Sequence, residues 1–231
     1  MQPHIVSTRI LPRNLVARLE ATGMLVTQAD FIQKKILLPD ETEVRSVHEA
    51  IVLTSKTAVH VWVAIAAKIH SNPQHHRAFC LDRATHQEAL HYHLPIAGLA
   101  SNAAALAEVI LKQSAIRAVT FFCSNLHRTE LPDQLKNAGI IVDEWVVYET
   151  ILTPQQIKDP AHGVLFFSPS AVDSFLSLNA VNGATGFCIG STTDEHARQR
   201  GFTQSVVAEI PSPESLIQGT INYYTPYSLH A

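Results

Sequence analysis

The chain has 231 residues, room for one large domain or two small ones, and its 17 Lys+Arg against 20 Asp+Glu give a net charge of −3. That balance excludes a basic nucleic-acid footprint over the whole chain and equally a polyacidic tail. Apolar residues make up 46% and charged residues 16%, enough for a sizeable core and too little charge for disorder. Met1 to Ile10 lacks a basic region followed by an apolar run, so it is not read as a signal peptide. The longest apolar stretch, Ala58 to Ala67, is interrupted by His60 and is too short to cross a bilayer. Cys80, Cys123 and Cys188 are scattered and odd in number, which fits a reducing, cytoplasmic setting.

In chain order, His4 to Thr8 predicts a strand and Pro12 to Ala21 a helix stopped by Gly23. Met24 to Leu38 reads as one long extended stretch closed by Pro39. Ala50–Leu53 (strand), Lys56–Ile69 (helix), Ala78–Leu81 (strand) and Thr85–His91 (helix) follow. Ser101–Lys112 (helix), Ala118–Cys123 (strand), Thr129–Asn137 (helix) and Ile140–Val147 (strand) continue the rhythm. The last third alternates likewise through Gly163–Phe167, Ser170–Leu178, Gly186–Ile189, Thr192–Arg200, Thr203–Ala208 and Pro213–Ile221. Short strands alternating with helices mean parallel sheets covered by helices, so the fold class is α/β.

Two segments interrupt the alternation, Met24–Leu38 and Tyr148–Thr153, and they are read as connector strands by which the chain leaves one domain and returns. The expected organisation is a discontinuous domain of residues 1–32 plus 152–231 and a second domain of 36–147. An internal echo supports similar halves. Ile51-Val-Leu-Thr-Ser-Lys-Thr-Ala-Val59 resembles Val164-Leu-Phe-Phe-Ser-Pro-Ser-Ala-Val172, and Phe79–Thr85 resembles Phe187–Thr193, at offsets of 113 and 108. Two similar doubly wound, flavodoxin-like parallel-sheet domains follow, with the ligand site expected in the cleft between them.

Ser55, Ser168 and Thr193 fall where a strand passes into a helix. Helix N-termini attract carboxylates and phosphates through unpaired N–H groups, although each residue could simply cap its helix. Thirteen histidines invite a metal reading, yet His48-Glu49 has Val52 where a zinc motif needs its second His. The pairs His75-His76 and His91/His93 read best as surface residues. Dinucleotide, Walker and nucleophile-elbow motifs are absent. No cofactor and no metal are expected.

The most specific stretch is Phe121-Phe-Cys-Ser-Asn-Leu-His-Arg-Thr-Glu-Leu-Pro132 followed by Val146-Val-Tyr-Glu-Thr150. A strand ends in the polar loop Ser124-Asn125, Arg128 enters the next helix, and a further strand delivers Tyr148. Together with Thr8-Arg9, Thr54-Ser55, Phe166-Phe-Ser-Pro-Ser-Ala-Val172, Ile189-Gly-Ser-Thr-Thr193 and Pro211-Ser212, this resembles the uroporphyrinogen-III synthase family through most of the chain. The departure is Phe79–Thr85, where Asp82 stands in place of the family's usual Gly and Thr85 is carried over with it.

The resemblance implies cyclisation of hydroxymethylbilane to uroporphyrinogen III, with loss of water and inversion of the last pyrrole ring, by a cytoplasmic, monomeric enzyme without cofactor. It implies Tyr148 as the proton donor to the leaving hydroxyl. Arg9, Thr54, Ser55, Ser124, Asn125, Arg128, Ser168, Ser170, Thr192 and Thr193 are implied as groups that grip the carboxylate-rich substrate. The implied partners are that substrate and a transient contact with the preceding pathway enzyme, with no nucleic acid and no membrane. The rival reading is a catalytically silent two-domain module that binds or senses a carboxylate or tetrapyrrole.

Overall fold

A computed structural model describes residues 2–38 and 46–225. Pro39, expected to close the first extended stretch, and the chain after Thr225 lie outside the described residues. The elements in chain order are β1 (His4–Ser7), α1 (Arg13–Glu20), β2 (Leu25–Gln28), β3 (Ile32–Ile36), β4 (Ala50–Leu53), α2 (Lys56–Lys68) and β5 (Arg77–Leu81). Next come α3 (Arg83–His91), β6 (Ile96–Ala100), α4 (Ala103–Leu111), β7 (Ala118–Ser124), α5 (Glu130–Asn137) and β8 (Ile141–Leu152). The chain continues with β9 (Gly163–Phe166), α6 (Pro169–Leu176), β10 (Thr185–Cys188), α7 (Ser191–Gln199), β11 (Ser205–Val207) and α8 (Pro213–Tyr224).

The chain divides into two compact units, Met1–Gln33 with Ile151–Ala231, and Lys34–Thr150. The first holds a five-stranded sheet of order β11-β10-β9-β1-β2, the second a six-stranded sheet of order β3-β8-β7-β4-β5-β6. The registered pairs in both are parallel. Central strands β1, β4, β9 and β10 are buried at every residue. Helices on both faces demand this, and it explains why β4 (Ala-Ile-Val-Leu) and β9 (Gly-Val-Leu-Phe) read as unbroken apolar runs rather than alternating ones.

Laid side by side, β2-β1-β9-β10-β11 matches β8-β7-β4-β5-β6 position for position. The second unit follows that plan in simple chain order, from β4 to β8. The first follows the same order only if reading starts at β9 and passes from the chain's end to its beginning. The two halves are therefore circular permutations of one α/β plan. The echo noted in the sequence falls on matching elements: Ser55 caps α2 by accepting from Ala58 N at 3.1 Å, and Ser168 caps α6 by accepting from Ala171 N at 3.2 Å.

Three elements differ from the sequence reading. Met24–Leu38 is not one extended stretch but two strands, β2 and β3, which are edges of different sheets. The break at Ala29–Phe31 is made by long-range bonds, Ala29 N to Ser7 O and Phe31 N to Thr8 O, and leaves no local signature. Tyr148–Thr153 is not a strand of its own: β8 runs unbroken from Ile141 to Leu152, with Tyr148 registered opposite Ser124 inside the sheet, and the chain passes from one unit to the other at Thr150–Ile151. Strand β6 has no counterpart in the sequence reading because Pro95 and Gly98 both argue against a strand. Gly98 is required there: a Cβ would lie 2.5 Å from Val109 Cγ1 and 2.8 Å from Phe79 Cδ1.

Candidate functional site

Open α/β sheets present their loops, and the N-termini of the following helices, at the carboxyl ends of the strands. In the second unit those ends are level: Leu53 is registered with Cys80 and Phe122, and Ser124 with Tyr148. This brings Thr54, Ser55, Ser124, Asn125 and Tyr148 to one edge. Tyr148 is 7% exposed, its ring packed in the cluster that contains Trp62, Phe122 and Trp145. Its hydroxyl lies 3.0 Å from Ser55 Oγ. Ser55 Oγ already accepts Ala58 N–H, so its own proton is available to the phenol oxygen. In that arrangement Tyr148 accepts from Ser55 and its own proton is free for a ligand.

The loop after β7 is built from both sides. Asn125 N–H donates to Tyr148 O at 3.2 Å, and Asn125 Oδ1 accepts Thr150 N–H at 2.8 Å. His127 lies between Ser124 O at 2.8 Å and Glu144 Oε2 at 2.6 Å, while Lys136 Nζ holds the other Glu144 oxygen at 2.5 Å. Burial pushes the Glu144 carboxyl up, but the hydrogen bonds from Lys136 and His127 outweigh it and leave the group below the usual carboxylate range. Arg128 is exposed at the far end of this loop and makes no ion pair among the described residues.

In the first unit the level ends of β1, β9 and β10 gather a second group. The Arg9 guanidinium carbon stands 4.8 Å above the Phe167 ring, and the hydroxyls of Ser168 and Ser170, which follow in the chain, are 3.1 Å apart. Thr192 is exposed in the first turn of α7. Thr193, by contrast, is only 3% exposed, and Thr85 at the matching place in α3 is 1% exposed. Their hydroxyls sit in the helix–sheet packing and offer a ligand little surface. Sequence reasoning also misses Gln28 and Asp30, which accept the Leu11 and Ile10 amides at 2.9 and 3.0 Å and so occupy the donors at the entrance to α1.

The most informative missed residue is Lys34, on β3. Its Nζ donates to Thr57 Oγ1 at 2.9 Å and stands 5.1 Å from the Tyr148 ring centroid. Burial around it lowers its pKa. A lysine pair on an edge strand gives no local sign of this, because only the fold turns Lys34 to Tyr148 while Lys35 turns to Glu149 at 3.7 Å.

Among the described residues no group of three or more His, Cys, Asp and Glu could hold a metal, and no helix is long and apolar enough to cross a membrane. Two of the surface cavities formed by the described residues lie elsewhere. One, of about 300 Å³, is lined by Ile157, Phe175 and Asn179; the other, of about 270 Å³, lies beside His48, Arg77 and Arg117 near the amino ends of β4, β5 and β7. Neither contains any of the polar strand-end groups described above.

The model of the family described as uroporphyrinogen-III synthase HemD matches residues 14–218. The chain belongs to the uroporphyrinogen-III synthase family. Its fold is also that of solved members. A mutant uroporphyrinogen III synthase of Thermus thermophilus superposes with a TM-score of 0.75 at 10% identity, covering 97% of this chain and 99% of that one. The Helicobacter pylori enzyme gives 0.64 at 20% identity, covering 96% and 100%. The wild-type Thermus enzyme gives 0.57 at 13% identity, covering 97% and 98%. Uroporphyrinogen-III synthases are hydro-lyases of tetrapyrrole and haem biosynthesis, and this chain shares that place.

Proposed function

We propose that this uroporphyrinogen-III synthase cyclises hydroxymethylbilane at the strand ends described above, with Tyr148 as proton donor. The observation that carries the reading is the Tyr148–Ser55 pair at 3.0 Å, in which Ser55 can donate to the phenol oxygen while the phenol proton is given away. Departure of the bilane hydroxyl as water leaves a delocalised cation, and the substituted carbon of the last ring attacks it to form a spiro centre. Choosing that carbon over the unsubstituted one is a matter of holding the bilane in one fold, which makes positioning the larger share of the task. The substrate carries eight carboxylates. Hydroxyls and amides at Ser55, Ser168, Ser170 and Thr192, with Arg9 and Arg128, suit such a ligand because they accept anions in many geometries. A net charge of −3 is no obstacle, since the local field at these ends governs binding. The protein is expected to act as a cytoplasmic monomer, in transient contact with the enzyme that supplies the bilane.

The decisive experiment supplies the purified protein with freshly generated hydroxymethylbilane and resolves the type I and type III products. Mainly type III product, without added metal or nucleotide, is expected. A type I mixture equal to the spontaneous reaction would reject the catalytic reading and favour a silent tetrapyrrole-binding module.

A further inference from the structure

Four polar groups from three elements converge at the Tyr148 end of the second unit: Lys34 from β3, Ser55 and Thr57 from the start of α2, and Tyr148 from β8. The lysine is the odd member. Its ammonium has three donors. One is used by Thr57 Oγ1 at 2.9 Å, and the charge faces the Tyr148 ring at 5.1 Å. No carboxylate among the described residues pairs with it, whereas its neighbour Lys35 has Glu149 and Lys56 has Glu88. Its side chain keeps open surface, so a ligand can reach the head.

We propose that Lys34 is the residue that fixes one substrate carboxylate beside Tyr148, and so sets which end of the bilane meets the proton donor. Water still reaches this ammonium, which a hydroxyl and an aromatic face hold in place but no carboxylate among the described residues pairs. A carboxylate that reaches Nζ pairs with it through a charge-assisted hydrogen bond. Partial burial also lowers the pKa of Lys34, and a carboxylate bound at Nζ would offset that. Because Thr57 holds the head in place, little side-chain freedom remains to be lost on binding. The role differs from that of Tyr148, since Lys34 holds a carboxylate and delivers no proton to the leaving hydroxyl. It rests on the proposed catalytic reading of the same site.

The test compares wild type with Lys34→Gln and Lys34→Arg, using hydroxymethylbilane and single-turnover as well as steady-state kinetics. Lys34→Gln is expected to raise KM about tenfold, the scale of one lost charge-assisted hydrogen bond, with kcat within about twofold. Lys34→Arg should recover most of that loss. The KM of the wild type should rise with ionic strength more steeply than that of Lys34→Gln, a response that a purely structural role would not alter. Thermal unfolding of Lys34→Gln should stay close to the wild type, because the side chain is exposed and pairs with no carboxylate among the described residues. An unchanged KM in Lys34→Gln overturns the proposal, as does a fall in kcat at constant KM, which would place Lys34's effect on Tyr148 itself. Absence of type III product from the wild type instead overturns the catalytic reading, so the two failures are distinct.

Discussion

Asp82→Gly should stabilise the protein even though it removes a helix cap. Asp82 has φ 66° and ψ 161°, a region that only glycine occupies without strain. It stays there because its N–H bonds to Ala100 O at 2.9 Å and its Oδ1 caps α3 by accepting Thr85 N–H at 2.7 Å. Holding a side chain in that region costs about 1–3 kcal/mol. Exchanging an Asp cap for Gly loses only a few tenths of a kcal/mol, and the looser unfolded chain costs a further ~0.4–1 kcal/mol. Taken at mid-range, the balance is a gain of about 1 kcal/mol.

Urea titration with a constant slope gives the number directly, and the melting temperature of this unit should rise by a few degrees. Asp82→Ala provides the control: it keeps the strain and loses the cap, so it should destabilise by about 1 kcal/mol. Asp82→Asn keeps both and should be nearly neutral. If Asp82→Gly were as destabilising as Asp82→Ala, the cap and not the backbone would govern this turn, and the strain argument would fail.

Tyr148→Phe keeps the packing of the ring but removes its proton, so kcat should drop at least tenfold with KM little changed; normal single-turnover rates would exclude Tyr148 as the acid. Ser168→Ala and Arg9→Gln, in the other unit, should do the reverse and raise KM while leaving kcat near the wild type, which steady-state kinetics on bilane will show. Glu144 has a depressed folded pKa, so its stabilising contribution is present above its unfolded value, near 4.3, and is lost as pH falls through the folded value; acid-unfolding curves of Glu144→Gln should lack that part of the loss. Burial pushes the thiols of Cys80, Cys123 and Cys188 up to about 12, so a thiol reagent at pH 8 should label none in the folded protein and all three in denaturant.

What could be read from the sequence follows from how local each determinant is. β4 is legible as the four-residue run Ala50–Leu53, and the start of α2 follows from Ser55 at its cap, because both signals lie within a few residues. The turn between β2 and β3 has no glycine or proline; it depends on carbonyls of Ser7 and Thr8 more than twenty residues upstream. β6 is hidden by Gly98, which is there to let Phe79 and Val109 approach and not to end a strand. The site shows the same division. Tyr148, Ser55, Ser124 and Asn125 are visible through a motif. Lys34 and Glu144 act through distant partners, and nothing beside them in the chain marks them.

Only one of the permuted halves carries an ionisable phenol at this register. At the registered position next to β7, Tyr148 stands opposite Ser124, and the matching position next to β1 holds Gln28 opposite Ser7. The two side chains are used differently. Gln28 turns back and spends its oxygen on the Leu11 amide, and two residues on Asp30 does the same for Ile10, so this edge is locked into its own loop. Tyr148 leaves the support of the equivalent loop to its backbone carbonyl, which accepts from Asn125, and keeps its hydroxyl for Ser55. Thr8 shows the same tendency as Gln28, since its hydroxyl is committed to Leu165 O at 2.7 Å. Repeating the fold therefore supplied two sets of polar strand ends. In one, the side chain at the key register became part of the scaffold. In the other the backbone took over that structural duty and left the Tyr148 hydroxyl beside Ser55, the arrangement on which the proposed proton-donor role rests.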